Sequence, residues 1–328
     1  MATKYVTPNG AGSKDGSDWS NAYDYSAFET YYEGSLAAGD VIYIKPESDG
    51  SGFSLTSDLT PFVAGTITAP VKIIGVKKET TNTPPVGSDY AYGTDRPLFT
   101  CGAYNFAIGS YFQVMNLRFT GSATDYTTGT STGDYCLVVN CKATNTSSGY
   151  ALQLDNYSTV IGCEVDAASD IALRLDVGGR AIYCNIRDSS SGASFAAATH
   201  GTAYGCIISG CSTNGMTAGT NFAVINSTIY DCSTGINGGA YNLGILINNI
   251  INCHEGGQTG VSYDSGHPYQ YADYNCWYND TDVVNFTKGP HAVNSDPKLK
   301  DPANDDFTLD TGSPCFDAGM QPDANIGL

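Results

Sequence analysis

Short segments of like character recur along this chain every 21 or 22 residues, and this period limits the fold more than any other feature. Ile161-Gly162-Cys163-Glu164-Val165 aligns with Ile182-Tyr183-Cys184-Asn185-Ile186 and with Tyr204-Gly205-Cys206-Ile207-Ile208. Val139-Asn140-Cys141-Lys142-Ala143 and Ile225-Asn226-Ser227-Thr228-Ile229 join the set. The central residues run Cys141, Cys163, Cys184, Cys206, Ser227 and Asn248, with gaps of 22, 21, 22, 21 and 21, and Leu117 extends the series back by 24. A second series contains Ala151-Leu152-Gln153-Leu154-Asp155 and Ala172-Leu173-Arg174-Leu175-Asp176, and continues through 192–196, 215–216 and 235–236. Cys211, Cys232 and Cys253 form a third.

Most of these segments alternate with a period of two, and each is about five residues long between turn-forming Gly, Ser, Asn or Asp. Several short strands per repeat, one coil stacked on the next, make a β-solenoid. Like residues then lie one rung apart, roughly 4.8 Å. Cysteine suits such a row because it is small, apolar and readily buried. A propeller repeats at about twice this period, and an amphipathic helix would show a period of 3.6 rather than two.

The ends depart from the repeat. Between Trp19 and Leu36, the residues Tyr23, Phe28, Tyr31, Tyr32 and Leu36 are spaced for one short amphipathic helix. Val41–Ile44 then reads as a buried strand. From Asp296 onward the period is lost among Pro297, Pro302, Pro314 and Pro322 and Gly312, Gly319 and Gly327. The stretch 255–295 reads as a longer excursion from one or two coils. The expected fold is all-β: a single-stranded right-handed parallel β-helix (solenoid) with a short N-terminal helical cap and a loop-rich C-terminal cap. The expected boundaries are 1–40 for the N-terminal cap, 41–295 for the β-helix and 296–328 for the C-terminal cap, forming one structural domain.

Composition narrows the partners. The chain carries 15 Lys and Arg against 33 Asp and Glu, a net charge of −18, so it repels phosphate backbones and anionic membranes. A carboxylate-rich surface leaves room for Ca²⁺, while no cofactor motif is present. No stretch is apolar for long enough to insert in a membrane, and the first residues show no signal peptide. Eleven cysteines, without zinc spacing, are expected as free thiols inside the stack.

The pattern Asp15-Gly16-Ser17-Asp18-Trp19-Ser20-Asn21-Ala22 with Ala38-Gly39-Asp40-Val41-Ile42-Tyr43 resembles the opening of right-handed parallel β-helix proteins of the pectin-lyase-like superfamily. Ala69–Gly75 resembles their second coil. Asp296-Pro297-Lys298, Phe307-Thr308-Leu309 and Gly312–Gly319 resemble their C-terminal signature. The resemblance implies a fold that hosts lyases, hydrolases, phage tailspikes and non-catalytic adhesins. It also implies that any site lies on the outer face of stacked strands, where long glycans bind.

On that face the second series offers candidates. With Leu152 and Leu154 inward, Gln153 and Asp155 are expected outward, as are Arg174 and Asp176 one coil on. Asp155, Arg174 and Asp176 are the candidate catalytic residues, since paired carboxylates raise one another's pKa or recruit a cation. Gln153, Phe195, placed in the Arg174 row, and His200 are the candidate carbohydrate contacts. The plainer reading makes Arg174 a neutralising partner of its acidic neighbours, Phe195 a core residue and His200 a loop residue. Lys142 with Glu164, and Asp166 with Arg187, read as ordinary cross-strand pairs. No metal site is recognisable. The Gly-His-Gly, Asn-Thr-Asp and Arg-Ile-Lys motifs of polygalacturonase-like hydrolases are missing, and the sequence reads more readily as non-catalytic.

The function expected from sequence is a structural or adhesive β-helix protein that contacts a polysaccharide or cell-surface glycan. It would sit on a virion or outside a cell, as a homotrimer or attached to a larger assembly. The alternative is a polysaccharide lyase or glycoside hydrolase acting on an acidic or complex polysaccharide.

Overall fold

The computed structural model describes residues 1–129, 133–167, 170–187, 191–195, 200–238, 244–254, 256–263, 270–285 and 287–320, with the side chains of 129, 167 and 191–195 outside the description. The fold is an all-β solenoid with one N-terminal α-helix. It divides into two compact units, Met1–Val165 and Asp166–Leu328. In each, three parallel sheets are built from strands that recur once per coil, so every strand pairs with its counterpart in the next coil.

In the N-terminal unit the first sheet runs Thr3–Val6, Val41–Ile44, Val71–Gly75, Phe112–Met115, Leu137–Val139 and Thr159–Ile161. Thr3–Val6 pairs in parallel with Val41–Ile44, so the stack begins inside the segment expected to be cap alone. The predicted helix is shorter than its pattern. A single 3-10 turn covers Trp19–Asn21, and the α-helix is Tyr25–Gly34. Asp24 sets that start, because its carboxylate accepts the Ala27 N–H at 2.8 Å and so caps the first turn. Phe28, Tyr31 and Tyr32 then face inward at i, i+3 and i+4 and are buried.

The core of this unit is aromatic. Phe53, Phe99 and Phe119, on neighbouring strands of the second sheet, stack with ring centroids 4.5 and 5.7 Å apart. Phe106 lies 4.9 Å from Phe99, and Tyr32 brings the helix to 5.9 Å from Phe106. The Tyr32 hydroxyl donates to the Ala107 carbonyl at 2.7 Å, which satisfies its one polar group.

In the C-terminal unit the third sheet runs Ile171–Leu175, Ser191–Phe195, Asn214–Ala218, Thr234–Gly238, Thr259–Tyr263 and Thr281–Val284. The expected excursion at 255–295 is instead largely regular coil: Thr259–Tyr263, Gln270–Asp273, Cys276–Asn279 and Thr281–Val284 all pair with their predecessors. The period lengthens to 26 residues there, from Ile250 to Cys276, which hid the strands from a fixed-interval reading. Beyond Asp296, Leu299–Asp301 pairs antiparallel with Asp306–Leu309. Cys315 completes an apolar cluster with Ile250 and Cys276.

From Phe112–Met115 onward, the residue after each first-sheet strand turns with a positive φ. Asn116, Asn140 and Gly162 do so in the N-terminal unit, and Tyr183, Gly205, Asn226, Asn248 and Tyr274 in the C-terminal unit. The amide that follows leaves the sheet ladder and needs another acceptor. Side chains one coil on provide it. The Cys141 N–H donates to Cys163 Sγ at 3.3 Å, Cys206 N–H to Ser227 Oγ at 3.1 Å, Ser227 N–H to Asn249 Oδ1 at 2.9 Å, and Asn249 N–H to Asn275 Oδ1 at 2.9 Å. This corrects the register expected at the end of the repeat. Asn249 is the rung, and Asn248 is the turn residue before it. All eleven cysteines are buried thiols.

Candidate functional site

The sequence-chosen residues do not all face solvent. Gln153 and Asp155 are buried rather than outward, at 6% and 7% exposure. Alternation places Gln153 on the outer side of its strand, but an outer side is open only where nothing covers it. Asp155 lies past the strand, which ends at Leu154, so the alternation no longer applies to it. Arg174 and Asp176 do sit together on the partly exposed outer side, with Nε 3.5 Å from Oδ1. Phe195 is not in the Arg174 row: Ser194 pairs with Arg174, while Phe195 shares register with Leu175 and Ala218. His200 is exposed and occupies a corner at φ 73°, donating its N–H to the Thr220 carbonyl at 3.0 Å. The pairs expected to be structural are present, with Lys142 Nζ 3.4 Å from Glu164 and Arg187 Nε 3.1 Å from Asp166. Arg187 also binds Asp305, which ties the C-terminal segment to the coils of its unit.

A cleft of about 220 Å³ in the C-terminal unit offers a better constellation. Its floor is one row of the second sheet, in which Tyr230, Asn252 and Tyr278 lie in register on three adjacent strands. Asp296, Leu299 and Pro302 of the C-terminal segment add a wall. Phe307, buried in that segment, meets the Tyr230 ring edge-on at 5.6 Å and fixes its angle. His254 lies against Tyr278 with ring centroids 4.2 Å apart, and its Nδ1 is 3.3 Å from Asp280 Oδ1. Backbone hydrogen bonds from Gly257 and Gln258 hold the Asp280 carboxyl below its usual range, so it stays an anion beside His254.

Two further carboxylates border the cleft. Asp231 follows Tyr230 and accepts from Gln258 Nε2 at 3.2 Å. Asp296 comes from the C-terminal segment and accepts the Lys298 N–H at 2.8 Å. The arrangement combines aromatic faces for apolar sugar surfaces, an amide and carboxylates for hydroxyls, and a volume suited to a single sugar ring. Among the described residues no group of three or more His, Cys, Asp or Glu is placed to hold a metal ion. Burial pushes the Cys101 and Cys136 thiols up to about 12, so these two are not poised for chemistry.

Sequence reasoning missed this cleft because of its wall. Tyr230 stands two residues before Cys232 of the third cysteine series, and Asn252 one before Cys253, so the floor row was within reach of the period. The wall was not. It comes from residues outside the repeat, and only the folded C-terminal segment brings Asp296 to Tyr230.

Among solved structures the chain is similar to a pectate lyase, Pel9A, at 13% identity and a TM-score of 0.63, covering 100% of this chain and 96% of that one. It is also similar to the Dettilon tailspike protein, at 13% identity and a TM-score of 0.50, covering 85% of this chain and 55% of that one. No protein-family model matches the sequence, and no curated protein matches it. At these identities the likeness defines the fold alone, a right-handed parallel β-helix. That fold is shared by a polysaccharide lyase and a phage tailspike, and no membrane-spanning helix occurs among the described residues.

Proposed function

We propose that this protein binds a polysaccharide in the Tyr230–Tyr278 cleft and cleaves it there. The carrying observation is that Asp231 from the coil and Asp296 from the C-terminal segment border one cleft floored by two tyrosines and an asparagine. A sugar ring stacks on the tyrosines and Asn252 orients its hydroxyls. One carboxyl then protonates the glycosidic oxygen while the other activates water or stabilises the developing positive charge. The likeness to a polysaccharide lyase supports the reading, with elimination next to a uronate as the other bond-breaking route.

The test is a reducing-end assay run beside an unsaturated-product assay on a panel of acidic and neutral polysaccharides. Asp231→Asn and Asp296→Asn should each lower turnover by about a hundredfold or more with binding retained, and Tyr278→Ala should weaken binding. Asp176→Ala belongs in the same experiment, because the Arg174–Asp176 pair is the part of the sequence-derived cluster left on a partly exposed face. Turnover lost in Asp176→Ala but intact in Asp231→Asn and Asp296→Asn would move the site to the third sheet. A second reading, a glycan-binding adhesin on a virion or extracellular surface, draws on the tailspike likeness. It expects binding without turnover and a trimeric mass in solution.

A further inference from the structure

We propose that a pocket in the N-terminal unit, beside Arg118, binds one anionic group of a saccharide chain, a carboxylate or a sulfate. The cavity is about 120 Å³, and Lys78, Thr94, Asp95, Arg96 and Arg118 contribute to its lining. Three of the chain's 15 Lys and Arg residues therefore line one small cavity, although the sequence as a whole has 33 carboxylates to pair them with.

The partners of these cations separate the structural groups from the free one. Arg96 is structural: it is 6% exposed, with Nη1 2.9 Å from Glu164 Oε1 and Nη2 2.6 Å from Asn140 Oδ1. Asn140 is held in turn by Asn116, at 2.7 Å. Lys142 shares Glu164, at 3.4 Å. One carboxylate thus serves two cations and has no charge left for a third. Arg118 donates its Nε to the Arg96 carbonyl at 3.1 Å, which fixes the guanidinium plane. Its two terminal nitrogens form no ion pair among the described residues. Lys78 meets Glu79 at 4.0 Å, with both side chains well exposed, and its charge also reaches Asp49. Asp95 is exposed and makes no ion pair among the described residues, so it offsets part of the pocket's positive charge without occupying the Arg118 fork. The buried Arg96 Nε also has no hydrogen-bond partner among the described residues.

A guanidinium held at Nε with its fork open is organised to take an oxyanion in bidentate fashion. The charge count selects the ligand. Nucleic acid carries a charge every ~1.7 Å and needs a track of cations, whereas this pocket has one free fork and one lysine in a protein of net charge −18. It suits one carboxylate or sulfate presented by a sugar residue, as in a uronate or sulfated polysaccharide. The site lies in the other unit from the proposed cleft and does not rest on turnover there.

Calorimetric titration with a galacturonate oligomer, a neutral oligomer of equal length and sodium sulfate tests the site. The acidic oligomer should bind, and the neutral one should bind at least tenfold more weakly. Arg118→Gln should lose tenfold or more of the acidic-oligomer affinity and flatten its salt dependence, with Lys78→Gln losing less. Far-UV circular dichroism and melting of each variant check that the coils persist. Lys78→Gln also serves if Arg118→Gln fails to fold, because it removes only an exposed charge. The Arg118-dependent part of binding should persist in Tyr278→Ala, which separates this site from the cleft. Unchanged affinity in both charge variants would overturn the proposal. Sulfate binding as tightly as the oligomer would make the site one for small free oxyanions and overturn the saccharide assignment.

Discussion

The two units solve one problem, the filling of a narrow solenoid interior, by different chemistry. The N-terminal unit uses bulk: Phe53, Phe99, Phe106 and Phe119 interlock, and the helix adds Phe28 and Tyr32. The C-terminal unit sets a polar ladder beside an aliphatic row in which Ile186, Ile208, Ile229 and Ile251 lie in register and are buried. Ser227, Asn249 and Asn275 are fully buried, yet each accepts an N–H that the turn has removed from the sheet. Both arrangements draw stability from apolar area, and the second adds acceptors for amides that the corner removes from the sheet. A β-helix coil therefore does not require a particular core. It requires that the corner amide be satisfied and the interior be filled.

The largest expected effect breaks the first half of that comparison. Phe99 touches Phe53, Phe106 and Phe119, so Phe99→Ala opens the middle of the stack. It should destabilise the protein by about 3–5 kcal/mol, measured by denaturant unfolding. A loss below about 1 kcal/mol would mean that the rings are not the organising core.

The second expected effect addresses the ladder. Asn249→Ala leaves the Ser227 N–H without its acceptor and the Val224 carbonyl without the Asn249 donor, which lies at 2.8 Å. Two orphaned buried groups should cost about 2–4 kcal/mol together. Asn249→Ser, which restores an acceptor as Ser227 does for Cys206, should recover part of the loss. Equal losses in both variants would assign the role of Asn249 to packing rather than hydrogen bonding.

The same contrast explains what the sequence made legible. The cysteine ladder was readable because each coil in its range has 21 or 22 residues and one row tolerates only small side chains. The phenylalanine stack was not, because Phe53 and Phe99 are 46 residues apart and Phe99 and Phe119 only 20, with a long loop between the first two strands. A fixed interval of 21 lands on Asn248, because it does not register the one extra residue before Asn249. The outward assignment of Gln153 failed for a different reason. Period two says which side of a strand a residue leaves by, not whether that side is covered. Of the candidate cleft, the Tyr230–Asn252–Tyr278 row was implicit in the period, while Asp296 depended on a tertiary contact that no local pattern encodes.

The smallest expected effect sharpens the comparison at a corner that both units share. Tyr111, Tyr135 and Tyr157 take φ of 57°, 59° and 57°, where the C-terminal unit uses Gly178, His200 and Asn221. A left-handed conformation costs an L-residue roughly 1–2 kcal/mol, and asparagine bears it more easily. Against that, Tyr135 stacks between its two neighbours at 5.1 and 5.2 Å, each pair contributing about 0.5–1.5 kcal/mol. The two terms nearly cancel, so Tyr135→Asn should change unfolding free energy by less than about 1 kcal/mol even though it removes a whole ring. The ring is half exposed, so little buried area is lost with it. A loss of 2 kcal/mol or more would show that the stack, rather than the corner geometry, holds this edge of the N-terminal unit together, which would make its outer tyrosines a second aromatic core.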